Sequence, residues 1–166
     1  MIIERYILDT VNCSIVTITP PHIAREDGGH IVIVCKNYSD VSYEDIPEEI
    51  AIELSILSRL TGSALKKALI KDNIEVGIVN YQINGNWSVN TDKKDPLHLH
   101  VYGRAKNSKN QKYGEALYLP KPTTGFYNNY TGLSDSDINC IRKYIINGLK
   151  NKSGVILYDW FFSESK

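Results

Sequence analysis

Residues 95–106, which read DPLHLHVYGRAK, are the stretch on which the interpretation of this chain depends. Apolar and polar side chains alternate along it, as they do in a strand that is buried on one face. His98 and His100 therefore face the same way, roughly 6.5–7 Å apart, so one phosphate-sized group could touch both imidazoles. Histidine suits a nucleophile, a proton carrier or a metal ligand because its unperturbed pKa lies near neutrality. On spacing alone, the pair could also lie on a solvent face by chance or cap a buried polar spot.

The amino-acid composition limits which partners a site built on this histidine pair could have. At 166 residues the chain is long enough for one domain with its own core. Its 19 Lys and Arg balance its 19 Asp and Glu, so no net field attracts a nucleic acid or an anionic membrane. The one local basic run, residues 106–112 (KNSKNQK), has the composition of a solvated loop. We therefore expect neither a nucleic-acid partner nor a membrane partner.

The cysteines and the amino terminus indicate the cellular setting. Cys13, Cys35 and Cys140 are odd in number and widely spaced, without a CxxC pair, which argues against a disulfide framework and against a zinc ribbon. The first ten residues, MIIERYILDT, lack the basic head, apolar centre and small-residue cleavage site of a signal peptide. No segment has the roughly 20 apolar residues of a membrane helix. These features predict a cytoplasmic protein.

Short β-rich runs punctuated by turn residues predict that strands dominate the fold. Two runs around Asn12 favour a hairpin, and Pro20-Pro21 halts the second of them. A nearly continuous apolar run after Gly28-Gly29 is typical of a strand in the middle of a sheet. Gly103 is expected to end the histidine strand. The other predicted strands cover residues 5–9, 13–19, 30–35 and 74–83.

Two amphipathic helices are predicted among these strands. The first spans residues 45–71, with Asp45 as its N-cap, Pro47 in its first turn and an apolar stripe along its length. The second follows Ser134 and Asp137, which resemble a capping box. One long helix between two strands and another near the end of the chain indicate an α+β domain with a mainly antiparallel sheet of about five strands. The final apolar run, residues 155–162, is expected to pack on the core or on a partner chain.

Taken together, these features resemble the histidine triad (HIT) superfamily, whose members carry His-φ-His-φ-His on a strand, where φ is an apolar residue. A Gly-His step followed by an apolar strand occurs here at residues 29–34, GHIVIV. A long amphipathic helix follows, then an apolar strand that ends near Asn80, then the strand with His98 and His100. The resemblance covers about residues 15–105.

The histidine strand can be placed on the family motif in two registers. In the preferred one, His98 takes the middle, nucleophilic position and His100 the third, while Pro96 stands where the first histidine would be. The Gly-Arg step after the strand favours this register, because it is similar to the exit that follows the family's third histidine. In the other register, His98 is the first member and Tyr102 occupies the third position.

The chain departs from the family pattern in the substrate-binding positions as well. Many members carry a Gly-Gln step before the motif, and residues 87–94 stand in its place, so that Ser88 and Asn90 become candidate phosphate contacts. The acidic or amide residue that holds the ribose in many members would fall near residues 17–19, where the sequence has neither Asp nor Asn.

The resemblance implies a two-step nucleotidyl transfer. His98 would attack the α-phosphorus of a nucleoside phosphoramidate or a dinucleoside polyphosphate, and water or another acceptor would then cleave the nucleotidyl-histidine. His100 would stabilise phosphate charge or protonate the leaving group. No metal ion or other cofactor is expected. Substrate contacts are predicted at Asn80, Trp87, Ser88, Asn90 and Arg104.

The resemblance also implies how the chain is organised. Residues 1–120 would form the HIT-like domain, and residues 121–166 a C-terminal extension with a helix that packs on the same domain or on a dimer partner. A homodimer is expected, because histidine triad proteins commonly pair through the long helix and the edge strand.

Two other interpretations stay open. Because the first histidine is missing, the chain could be a degenerate histidine triad protein that binds a nucleotide or a protein partner without turnover. Alternatively, His98 and His100 could form a metal site with His22 or His30. Otherwise His30, the histidine of the Gly-His step, matches a family position that is usually structural.

Overall fold

The structure is a computed structural model, and it describes residues 3–84, 92, 95–151, 161 and 162. The predicted contacts Trp87, Ser88 and Asn90 lie outside the described residues, as does most of the final apolar run. None of the helices within the described ranges is long and apolar enough to cross a membrane.

Five antiparallel strands form one sheet, which confirms the predicted α+β class with an antiparallel sheet. The strands lie side by side in the order β1-β2-β3-β5-β4, so that the histidine strand β5 is flanked by β3 and β4. The predicted strand over residues 30–35 runs on to Ser39, and β5 continues past Gly103 to Ala105. The bounds are β1 Ile3–Asp9, β2 Cys13–Thr19, β3 His30–Ser39, β4 Val76–Gln82 and β5 Pro96–Ala105.

The first helix, α1, spans Glu48–Leu69, and the prediction that Asp45 is its N-cap is wrong. Asp45 ends a short 3-10 turn, and Ile46 after it is extended, with ψ at 151°. The ring of Pro47 causes this, since a residue that precedes proline avoids the α conformation. The helix therefore begins only after Pro47.

The second helix, α2, spans Asp135–Asn151 and has the predicted capping box. The Asp137 backbone N–H donates to Ser134 Oγ at 3.2 Å, while the Ser134 backbone N–H donates to Asp137 Oδ2 at 2.8 Å. Two of the N–H groups at the start of the helix are thereby satisfied.

The two faces of the sheet have different roles. One face packs against α1 and holds the main core, to which β5 contributes Leu97 and Val101 and the carboxyl-terminal part contributes Phe161. Because side chains alternate along a strand, the histidines of β5 lie on the other face, which shares a smaller apolar cluster of Val16, Ile18 and Val32. Helix α2 packs against α1. The division into residues 1–120 and 121–166 stays a prediction.

Candidate active site

A third histidine joins the pair on β5 because of the strand register. His30 lies opposite Tyr102 at the start of β3, while Val32 lies opposite His100 and Val34 opposite His98. Residues directly opposite each other in an antiparallel pair share a face of the sheet. His30, His98 and His100 therefore meet on the face away from α1.

The His98 ring is held by the backbone of its own strand. Its Nδ1 lies 2.7 Å from the carbonyl oxygen of Pro96. A carbonyl oxygen can only accept a hydrogen bond, so Nδ1 carries the proton and Nε2 keeps the lone pair. The ring stands edge-on to His100, with centroids 4.7 Å apart and planes at 88°. Nε2 of His98 is therefore the ring nitrogen with a lone pair that could attack an electrophile.

A chain of hydrogen bonds fixes the tautomers of His30 and His100, both of which are buried. The backbone N–H of His22 donates to His30 Nδ1 at 3.1 Å, which places the His30 proton on Nε2. His30 Nε2 in turn lies 3.0 Å from His100 Nδ1, which must accept that proton. The proton of His100 is left on its Nε2. The His100 ring next to His98 therefore carries an N–H donor at Nε2, whereas His98 carries a lone pair at Nε2.

Burial keeps these imidazoles neutral. It lowers the pKa of His100 to about 3 and that of His22 to about 4, and it holds the pKa of His30 well below the usual value. The neighbouring His98 lowers all three further, because a second positive charge would repel the first. At neutral pH, His100 is therefore a hydrogen-bond donor without a charge.

Tyr102 closes the site at the far end of the histidine row. Its ring is fully buried and stacks on His100, with centroids 5.1 Å apart and planes at 9°. Its hydroxyl lies 2.9 Å from His22 Nδ1. Burial raises the pKa of this phenol, so it stays protonated. Tyr102 therefore supports the buried imidazoles.

No model of a known protein family matches this sequence, and neither does any curated protein. Solved structures do match. A hypothetical histidine triad nucleotide-binding protein from Sulfolobus tokodaii strain7 is 17% identical, with a TM-score of 0.57, over 92% of this chain and 90% of the other. A HIT-like protein from Bartonella henselae, involved in cell-cycle regulation, is 14% identical, with a TM-score of 0.53, over 89% and 87% of the two chains.

The chain has a histidine triad-like fold. A third structure, a Zn-bound histidine triad family protein from Mycobacterium smegmatis, agrees, with 16% identity, a TM-score of 0.52 and coverage of 86% and 84%. The likeness at these identities concerns the fold, and the side chains of the site have to be judged on their own geometry.

In this histidine triad-like fold, Arg104 lies near the end of β5, away from His98 at its start. Six positions along β5 separate it from His98, about 20 Å. Its Nη2 donates to the carbonyl oxygens of Lys112 and Glu115 at 2.6 and 3.0 Å, and its Nη1 donates to Asn80 Oδ1 at 3.2 Å. This geometry argues against the predicted phosphate contact, and Arg104 instead anchors the loop that follows β5.

Asn80 and Gln82 occupy neighbouring same-face positions on β4. Asn80 lies opposite Tyr102, whereas Gln82 lies opposite His100 and is therefore closer to His98. The sequence motif predicts a contact at Asn80 but none at Gln82. The signal was available, because a residue two positions further along a strand faces the same way.

Two further residues of the site come from loops. His22 is held beside His30, with ring centroids 4.6 Å apart, and Tyr127 covers His22 at 5.2 Å. Tyr127 is buried, and its hydroxyl donates to the carbonyl oxygen of Pro120 at 2.9 Å. From the sequence, His22 is predicted only as a possible metal ligand and Tyr127 has no predicted role, because the approach of loops to a sheet face has no local sequence pattern.

The histidines do not fit a metal ion well. His22, His30 and His100 offer ring nitrogens within 4.8 Å of one another. However, the lone pair of an imidazole lies in the plane of its ring, and the His22 and His30 planes are stacked at 25°. The 3.0 Å contact between His30 and His100 is moreover already bridged by a proton. The group is organised as a hydrogen-bonded stack.

Acidification is expected to destabilise the protein through His100. Its pKa is about 3 in the folded state, against 6.5 for an unperturbed histidine. As the pH falls below 6.5, the unfolded chain takes up the proton first, and stability is lost until the folded pKa is reached. Between pH 7 and pH 5 this one group should remove about 2 kcal/mol from the free energy of unfolding.

Urea unfolding at the two pH values measures this loss. The His100→Asn variant, which cannot take up the proton, should lose correspondingly less stability over the same interval. An equal loss in both proteins would contradict the role given to His100.

Proposed function

We propose that the protein is a nucleotide-binding hydrolase or transferase that acts on the α-phosphate of a nucleoside phosphoramidate or a dinucleoside polyphosphate. The observation that carries the proposal is the 2.7 Å contact between His98 Nδ1 and the Pro96 carbonyl oxygen. It supplies the fixed tautomer that a nucleophilic imidazole needs, and it does so although no histidine stands at position 96. One structural neighbour is described as a nucleotide-binding protein, which supports the ligand class.

The reaction proceeds in two displacements. His98 Nε2 attacks the α-phosphorus, the bond from phosphorus to the leaving group breaks, and a nucleotidyl-histidine forms. Water then attacks the same phosphorus, the bond from phosphorus to His98 Nε2 breaks, and the nucleoside monophosphate leaves. His98 regains its lone pair, and the proton lost by the water balances the one that the departed leaving group took up from solvent. His100 Nε2–H donates to a phosphate oxygen or to the leaving group, and its neutral state at pH 7 lets it do so without binding the product as an ion pair.

The substrate is proposed to lie along the histidine face, over the apolar cluster of Val16, Ile18 and Val32. Asn80 stays a proposed contact, and Gln82 is added to it because it lies opposite His100. Trp87, Ser88 and Asn90 are proposed from the sequence alone.

A binding protein without turnover is the second candidate, and the proline at position 96 favours it. Incubation with adenosine 5′-phosphoramidate and with a dinucleoside polyphosphate, followed by chromatography, separates the two candidates. Release of AMP above the rate of a blank supports the enzyme. A folded sample that binds AMP but releases none from either compound would exclude it.

We also propose a cytoplasmic homodimer. Strand β4 lies at the edge of the sheet, where its backbone can pair with another strand, and it leaves Ile78 and Tyr81 49% and 45% exposed. Pairing of this edge with that of a second copy would cover both residues. The proposed location rests on the widely spaced cysteines, which form no CxxC pair.

A further inference from the structure

Two cysteines that are far apart in the sequence face each other on adjacent strands. Cys13 on β2 lies directly opposite Cys35 on β3. The backbone N–H of Cys13 donates to Thr10 Oγ1 at 3.1 Å, and the Cys13 carbonyl oxygen accepts from the Thr10 backbone N–H at 2.9 Å. Neither group of Cys13 is therefore directed at Cys35.

The adjacent hydrogen bond of the sheet indicates that Cys13 and Cys35 form a non-hydrogen-bonded pair. The Lys36 backbone N–H donates to the Asn12 carbonyl oxygen at 2.7 Å, so the interstrand hydrogen bond lies beside the two cysteines and not between them. In such a non-hydrogen-bonded pair the Cα atoms approach to about 4.5 Å, with the side chains closer than at the other positions of the ladder. Disulfides join Cα atoms about 4.4–6.8 Å apart, so the backbone can accept a bond between these two residues.

The two thiols already interact. Both cysteines are fully buried on the face that packs against α1. A hydrogen bond from the Cys13 thiol lowers the pKa of Cys35, and the same interaction raises the pKa of Cys13. The sulfur of Cys35 is therefore the one that more readily becomes a thiolate, which is the nucleophilic form of cysteine.

A buried carboxylate completes the group. Glu53 projects from α1 and is only 1% exposed. Its Oε1 accepts from Thr10 Oγ1 at 2.5 Å, and its Oε2 accepts from Asn12 Nδ2 at 2.7 Å. Its negative charge also raises the pKa of the neighbouring Cys13 thiol. The proposed phosphate chemistry on the other face of the sheet has no use for this carboxylate. Its position suits a proton acceptor for Cys13.

We propose that Cys13 and Cys35 are a redox-active dithiol that a peroxide converts into a cross-strand disulfide, with Glu53 as the proton acceptor. The Cys35 sulfur attacks one oxygen of hydrogen peroxide, the O–O bond breaks, and a sulfenic acid and one water result. Cys13 then passes its proton to Glu53 and attacks the Cys35 sulfur. The displaced hydroxide takes up that proton and leaves as a second water. The two thiols are oxidised by two electrons, and one peroxide is reduced to two waters.

Both cysteines are buried, but Cys13 lies beside a hairpin turn. It directly follows the turn between β1 and β2, where Asn12 is half-buried and also donates to Glu53. The Val11 backbone N–H donates to the Phe161 carbonyl oxygen at 2.9 Å, so the carboxyl-terminal part covers this turn. A local opening of the hairpin turn would admit a molecule as small as peroxide.

Peptide mapping of the folded, full-length protein tests the proposal. The protein is treated with one equivalent of hydrogen peroxide, unfolded in the presence of an alkylating reagent and digested. Before alkylation, we expect the mass of the intact protein to be lower by two hydrogen atoms. In the digest, we expect one pair of peptides linked through Cys13 and Cys35, and Cys140 in alkylated form. Alkylation of both Cys13 and Cys35, or a link from either of them to Cys140, would overturn the proposal.

Two variants separate a built site from chance proximity. Cys140→Ser should cross-link at the rate of the parent protein, because it leaves the pair untouched. Glu53→Gln should cross-link about tenfold more slowly, because the amide no longer accepts the Cys13 proton. Circular dichroism establishes that each variant is folded. An unchanged rate in folded Glu53→Gln would remove the carboxylate from the proposal, while the mapping of the parent protein decides the disulfide by itself.

Discussion

His98→Ala should lower the rate of nucleotide release by about a thousandfold or more, because it removes the atom that attacks the phosphorus. The variant is expected to fold, since His98 is only half-buried and its one described hydrogen bond is to the carbonyl oxygen of Pro96 within the same strand. The measurement is the initial rate of AMP release from adenosine 5′-phosphoramidate, together with a circular dichroism spectrum.

Pro96→Ala is the matched control for this variant. It exchanges the side chain but keeps the carbonyl oxygen that orients His98, so the rate should stay within about tenfold of that of the parent protein. A parent-like rate in His98→Ala would show that the register of the histidine strand is wrong. A collapse of the rate in Pro96→Ala would show that the proline ring, rather than the carbonyl group, is what the site requires.

Gly103→Ala should have the largest effect on stability. A Cβ atom at position 103 would lie 1.9 Å from the carbonyl oxygen of Gly28, and the Gly103 N–H donates to the Gly29 carbonyl oxygen at 3.0 Å. Gly28 has φ at +124°, a backbone conformation that is open mainly to glycine. The turn at Gly28 is therefore closely constrained and cannot readily shift to make room for the added Cβ atom. We expect a loss of about 3 kcal/mol in the free energy of unfolding.

Urea unfolding of Gly103→Ala and Gly132→Ala makes the comparison. A Cβ atom at position 132 would have only Thr19 Oγ1 near it, at 4.0 Å, so this control should change stability by less than about 0.5 kcal/mol. If the two variants have the same free energy of unfolding, the contact of Gly28 and Gly29 with Gly103 does not hold the histidine strand in place.

The architecture was accessible from the sequence because it depends on local patterns. Alternation along residues 95–106, the apolar run at residues 30–35 and the apolar stripe of the long helix each reflect which side chains face the core. The start of α1 was misplaced by three residues because the capping pattern at Asp45 competes with the restriction that Pro47 places on Ile46. The sequence predicts that Gly103 ends the strand, yet Gly103 lies inside β5, where the absence of a side chain lets the backbone of Gly28 approach.

The candidate site was only partly accessible, because much of it depends on contacts between distant segments. The pair on β5 followed from a spacing of two, but the stacking of His22 on His30 and of Tyr102 on His100 follows from the register and from a loop. The orienting group for His98 is a backbone carbonyl, and since every residue carries one, no residue type marks it in the sequence. In the sequence, Pro96 reads as the loss of the first histidine of the motif. In the structure, the backbone carbonyl of Pro96 bonds His98 Nδ1, so this contact does not depend on the side chain at position 96.

Trapping of the covalent intermediate tests the central claim most directly. The protein is mixed with adenosine 5′-phosphoramidate, quenched in alkali, digested and analysed by mass spectrometry. We predict that the peptide containing residues 95–106 carries one adenylyl group, on His98, and that fragment ions exclude His100. An adenylyl group on His100, or AMP release with no adduct on this peptide in a rapidly quenched sample, would contradict a mechanism built on His98.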